Sequence, residues 1–143
     1  MGSRNGPDSV KHKIEDLVRQ YGLEVIYAFG SRAAELRDFV RGKKRTLSRS
    51  ASDVDIAVKP KRKLTVREKA EIGIFFEDLF GAARADVVSL QDAPIPLAFA
   101  IVTGELLYAE NKTDEAEYQL TIMRMMADLQ PHLAMRRKMA LES

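Results

Sequence analysis

The chain has 143 residues, 45% of them hydrophobic and 31% charged, which fits one globular domain with its own core and no second domain. A net charge of +2, from 23 Lys and Arg against 21 Asp and Glu, is no basic excess of the kind that by itself implies nucleic acid. The absence of cysteine excludes disulfides, thiolate metal sites and a cysteine nucleophile, and suits a reducing compartment. No apolar run approaches the roughly 18 residues of a membrane helix. The N-terminal MGSRNGPDS lacks the apolar segment of a signal peptide, so a soluble cytoplasmic protein is expected.

Residues 1–7 read as a loose terminus. Asp8 or Ser9 then caps a helix whose apolar stripe is Val10, Ile14, Leu17, Val18 and Tyr21, with Gly22 as its stop. LEVIYAF (23–29), rich in β-branched and aromatic residues, predicts a buried strand. Gly30-Ser31 breaks it, and RAAELRDFV has helical character. GKKRTLSRSAS (42–52) is basic, serine-rich and poor in apolar residues, the composition of a mobile surface loop. DVDIAVK is the second strand. Thr65 and Glu68 make a capping box for a helix that Gly81 ends. ADVVSL (85–90) is a third strand, PIPLAFAIVTG a helix with proline in its first turn, and ELLYAE a fourth strand. Asp114 and Glu117 form another capping box, opening a long helix from about 114 to 141 that carries Leu120, Met123, Met126 or Ala127, and Leu129 or Leu133 on one side, with a kink expected at Pro131. The predicted order, αβαβαβαβα, implies an α/β or α+β layer with helices packed on a small sheet of about four strands.

Three features fall at strand ends. Gly30-Ser31 sits at a strand-to-helix turn, where glycine lets a ligand approach the backbone and a helix start offers N–H groups to a phosphate. Asp53 and Asp55, one residue apart, share one face of the second strand. Side by side they raise each other's pKa unless a cation sits between them. Asp86 opens the third strand. Taken singly, these read as a capped turn, a solvated edge and a strand-start residue. Together, three carboxylates converging from adjacent strands are the oxygen ligand set of Mg²⁺.

YAFGSRA, then SDVDIAV, then ADVVSL resembles the minimal nucleotidyltransferase (MNT) family of the DNA polymerase beta-like superfamily, and APIPLAFAIVTGELLYAE resembles that family's closing helix and strand. The resemblance spans residues 10–110. It implies the nucleotidyltransferase fold, with a small mixed sheet and helices packed on it. It also implies that Gly30 and Ser31 hold the β- and γ-phosphates of a nucleoside triphosphate. Asp53 and Asp55 would bind two Mg²⁺ ions, and Asp86 would complete one metal site and help deprotonate the acceptor hydroxyl. Attack on the α-phosphorus releases pyrophosphate. MNT proteins pair with HEPN-domain ribonuclease toxins as antitoxins, and the resemblance implies AMP transfer from ATP to a tyrosine of such a toxin. Two departures stand out: Glu35 occupies the place of the family's second glycine, and the spacer from Ser31 to Asp53 is longer than usual.

That extra length is the basic loop 41–52. From Arg41 to Lys63 there are nine basic residues, with Asp53 and Asp55 the only acids. The loop could be a lid over the triphosphate, a partner contact or an inert insertion. It lacks interleaved aromatics, so single-strand binding by base stacking is not indicated, and no specific nucleic acid is expected. Arg32 reaches either a phosphate or a surface salt bridge. His12 and His132 are isolated and read as surface residues. Methionines on several sides of the last helix leave an apolar face for a partner or a second copy. The competing readings are an antitoxin-like protein that neutralises its partner by contact alone, and a small-molecule nucleotidyltransferase.

Overall fold

The computed structural model describes residues 7–48 and 53–142. The expected loose terminus (but for residue 7) and residues 49–52 of the basic loop lie outside that range, as does the side chain of Leu133. The predicted element order is observed: α1 (Pro7–Tyr21), β1 (Leu23–Phe29), α2 (Ala33–Val40), β2 (Val54–Pro60), α3 (Val66–Phe80), β3 (Ala85–Ser89), α4 (Ile95–Val102), β4 (Glu105–Ala109) and α5 (Lys112–Glu142), with a 3-10 turn at Leu90–Asp92. The strands form one mixed sheet in the order β3-β2-β1-β4. β1 runs antiparallel to both β2 and β4, while β2 and β3 are parallel and joined through α3.

Strand alternation divides the core into two clusters. Ile26, Ala28, Val54, Ile56 and Val58 face α1, α2 and α3, meeting Leu17, Leu36, Phe76 and Phe80. Val25, Tyr27 and Ala57 face the other way, toward Ala98, Ile101 and Val102 of α4 and Ile122 of α5. The Thr65 capping box is present in both directions, with Glu68 N–H on Thr65 Oγ1 at 3.0 Å and Thr65 N–H on Glu68 Oε1 at 2.9 Å. Gly81 ends α3 in the left-handed conformation, at φ 65°.

Three local expectations are corrected. α1 begins at Pro7, so Asp8 lies inside its first turn, where a carboxylate favours the positive end of the helix, rather than before it. α5 begins at Lys112, and the Asn111 side chain, not Asp114, caps it by accepting the Asp114 N–H at 3.0 Å. Asparagine at that position satisfies a free helix N–H as well as aspartate does. The inward face of α5 carries buried Glu115 and, packed with α4 residues, Tyr118 and Ile122, while Leu120 is 52% exposed. A buried glutamate in that row hides it from an apolar-periodicity reading. α5 continues through Pro131, and Met135, Met139 and Leu141 are exposed beyond it.

Candidate active site

Because β1 and β2 are antiparallel and β2 and β3 parallel, the end of β1 and the starts of β2 and β3 lie together. Phe29 of β1 pairs with Asp55, and Asp55 pairs with Asp86 of β3. Asp55 shares its side of β2 with Ala57 and therefore projects on the α4 side of the sheet. Gly30 follows Phe29 at φ +77°, a conformation that favours glycine. A Cβ built on Gly30 would overlap Asp55 Oδ2 and stand 3.3 Å from Asp55 Cγ. The glycine thus leaves room for the carboxylate, and the expected phosphate turn and the central aspartate are direct neighbours. Ser31 is exposed in the same turn, which runs into α2.

Asp53 lies just outside the β ladder, whose first pair is Val54 with Ala85. Between the two aspartates, the Val54 N–H donates to the Arg84 carbonyl at 3.1 Å. The Arg84 guanidinium straddles the outer pair, with Nε 3.8 Å from Asp53 Oδ2 and 3.5 Å from Asp86 Oδ1. Burial, and then the charges of Asp86 and Asp53, push the Asp55 carboxyl above its ordinary value.

Among the described residues no three acidic or imidazole side chains are drawn into coordinating geometry. The chemistry of the set nevertheless fits a hard dication. It is all carboxylate oxygen on adjacent strands, its central member is destabilised when charged, and a cationic side chain already bridges the outer two. Arg84 is 70% exposed, so its pairing competes only weakly with an ion. Arg84→Ala is expected to tighten Mn²⁺ binding by no more than about fivefold, the worth of an exposed ion pair. Isothermal titration of the two proteins measures this, and weaker binding in the variant would mean that Arg84 assists the ion.

Arg32, which directly follows the Gly30-Ser31 turn, is paired with Glu35. Arg32 is 7% exposed. Its Nη2 donates to the Ser48 carbonyl at 2.9 Å, and its Nε is 3.4 Å from Glu35 Oε2. Glu35 accepts the Ser48 N–H on its other oxygen, with Lys44 Nζ at 3.7 Å. Burial raises the Glu35 pKa, but the hydrogen bonds from Ser48 and Arg32 outweigh it and bring the carboxyl to about 2. Glu35 is therefore held as a carboxylate by Arg32 and by the main chain of the loop. Residues 41–48, at the surface as expected, are tied to the body of the protein at several points. Gly42, Lys43 and Lys44 donate main-chain N–H groups to the end of α2, and Leu47 packs against the core.

The site thus brings together Gly30, Asp55 and Asp86, with Asp53 bridged to Asp86 through Arg84. Sequence reasoning missed Arg84, although a basic residue two before Asp86 in RAD, next to a cluster of acids, was a usable signal. It also missed the pair formed by Arg37 Nη1 and Glu105 Oε1 at 2.8 Å, which ties α2 to the start of β4.

The family described as "Polymerase beta, Nucleotidyltransferase" matches residues 12–113. No curated protein matches the chain. Among solved structures, a toxin–antitoxin with AMP-PNP is 22% identical with a TM-score of 0.66, covering 92% of this chain and 98% of the other. A tri-AMPylated HEPN toxin in complex with an MNT antitoxin, from Shewanella oneidensis, gives 22% and 0.66, covering 94% and 98%. The MntA–HepT toxin–antitoxin gives 21% and 0.65, again covering 94% and 98%.

Proposed function

The chain belongs to the polymerase beta nucleotidyltransferase family, and from that premise we propose that it transfers AMP from ATP, with Mg²⁺, to a tyrosine hydroxyl of a HEPN ribonuclease, acting in the cytoplasm as that toxin's antitoxin. The observation that carries the reading is the meeting of Gly30 with Asp55, and of Asp55 with Asp86, at one end of the sheet. The similar structures support the finer points: one holds AMP-PNP, and another contains an AMPylated HEPN toxin beside its MNT antitoxin.

In this reading the acceptor oxygen forms a bond to the α-phosphorus as the bond to pyrophosphate breaks, and the acceptor's proton passes to Asp86. Gly30 admits the triphosphate to the backbone and Ser31 offers it a hydroxyl donor. Asp53, Asp55 and Asp86 would hold Mg²⁺, which supplies charge stabilisation to the phosphates. Asp55 is the central carboxylate, fixed on both sides by β pairing.

The test uses the full chain with its HEPN partner. The double variant Asp53→Asn with Asp55→Asn should still co-purify with the partner, since both residues sit at the sheet end rather than on the exposed half of α5, but should neither label it from radioactive ATP nor silence it. Silencing without labelling would overturn the enzymatic reading in favour of neutralisation by contact.

A further inference from the structure

The sheet has two edges, and the one formed by β3 carries Asp86 of the candidate site. Among the described residues β3 pairs only with β2. The Val54 N–H donates to the Arg84 carbonyl, so along this parallel ladder Asp86 and Val88 turn their main-chain groups toward β2, and Ala85 and Val87 turn theirs outward. The Ala85 N–H shows the direction, since it donates to Glu77 Oε2 of α3, at 3.0 Å, and not to a strand. The main-chain groups of Val87 face the same open edge.

Beside this edge runs a groove of about 360 Å³ between α3 and β3, with Gly73 and Ile74 on one wall and Ala85 and Val87 on the other. Its α3 rim is apolar and uncovered. Ile74 is 57% exposed and Val66 83%, with the exposed Ala70 between them. Spaced four apart, the three form one row on the helix. Arg84 and Asp86 line the same groove, so it opens onto the candidate site.

These features together select one kind of occupant. An edge strand with outward donors and acceptors recognises an extended chain, which it takes up as a further strand. Successive side chains of that chain then point to opposite faces of the sheet. On the α3 face they meet the groove and its apolar rim. On the other face, where Val88 packs toward α4 and Asp86 lies beside Asp55, the next side chain stands next to Asp86. A tyrosine there carries its hydroxyl onto the face of the carboxylates.

We propose that the β3 edge and the α3 groove dock the acceptor, an extended tyrosine-bearing segment of the partner protein with an apolar residue next to the tyrosine to fill the groove beside Ile74. The inference deepens, and rests on, the reading of the chain as a tyrosine-modifying transferase.

The test uses the full chain with its HEPN partner, as wild type, Ile74→Glu and Val87→Pro. Ile74→Glu puts a charge into the groove at an exposed position. Val87→Pro removes an outward N–H and no ladder bond. Hydrogen–deuterium exchange of the Val87 amide should slow at least about tenfold when the partner is added to wild type. Both variants should raise the KM for the partner about tenfold, the worth of one buried apolar side chain, while the KM for ATP stays as it is. Unchanged Val87 exchange in a complex that still labels its tyrosine, or an unchanged partner KM in Ile74→Glu, would overturn the inference. So would a wild-type chain that self-associates and is made monomeric by Ile74→Glu, which would assign the groove to a second copy. Val87 protection in a complex that labels no tyrosine would instead overturn the transferase reading, and with it the acceptor role of the groove.

Discussion

Asp55→Asn is expected to lower AMP transfer about a thousandfold while raising the melting temperature of the metal-free protein. The two effects have one cause. Stabilisation of phosphoryl charge by a bound dication is worth several kcal/mol, and losing about 4 kcal/mol of it costs about three orders of magnitude in rate. In the proposed reading Asp55 is the carboxylate whose strand is flanked by β1 and β3, so its loss leaves the other two carboxylates without their centre. In the absence of an ion, the same side chain is a liability. Burial and the charges of Asp86 and Asp53 raise its pKa above the ordinary 3.8. The folded state therefore holds that proton more tightly than the unfolded chain does. Stability is highest below the ordinary value and falls as pH rises through the raised one. Asparagine removes that term. Thermal melts with EDTA should show the variant gaining stability at neutral pH, with a flatter dependence across the acid range, and added Mg²⁺ should stabilise wild type but not the variant. A variant that melts lower than wild type without metal would contradict the electrostatic account.

Gly30→Ala is expected to be nearly as damaging, for reasons of space. At φ +77° a side chain brings backbone strain of about 1–3 kcal/mol. The added methyl also falls on Asp55 Oδ2, so the carboxylate must swing away. Activity should drop at least about a hundredfold, the cost of misplacing a reacting group by about 1 Å. Gly22→Ala is the control. Gly22 has φ +66° but nothing within 4 Å of the added carbon, so it should lose comparable stability and keep its activity. Equal activity losses in the two variants would mean that strain, and not the clash with Asp55, is responsible. Melting temperature and kcat/KM measured together separate the cases.

Much of the site was legible because its parts are locally encoded. The run LEVIYAF followed by Gly-Ser fixes a strand, a break and a helix start within a few residues, and the Thr65–Glu68 box was read directly from its spacing. Period-two alternation puts Asp55 on the side of Ala57, while Asp53 lies just outside the ladder. Other features were hidden. The tasks of Glu35 and Arg32 depend on Ser48, thirteen residues beyond Glu35, and a loop of Lys, Arg and Ser gives no periodic signal of being held. The packed face of α5 escaped because Glu115 lies in it.

The sequence by itself therefore determined the nine elements, the family and the three candidate metal ligands, since helix and strand periods, caps and glycine breaks act over a few residues. Only the tertiary structure decided that Asp55 pairs with Asp86, that Gly30 makes room for the Asp55 carboxylate, that Arg84 bridges the outer acids and that Arg32 and Glu35 grip Ser48. Those are contacts between segments distant along the chain. Their register comes from how strands pair and how two core clusters pack on opposite faces of one sheet, and no local pattern carries that information.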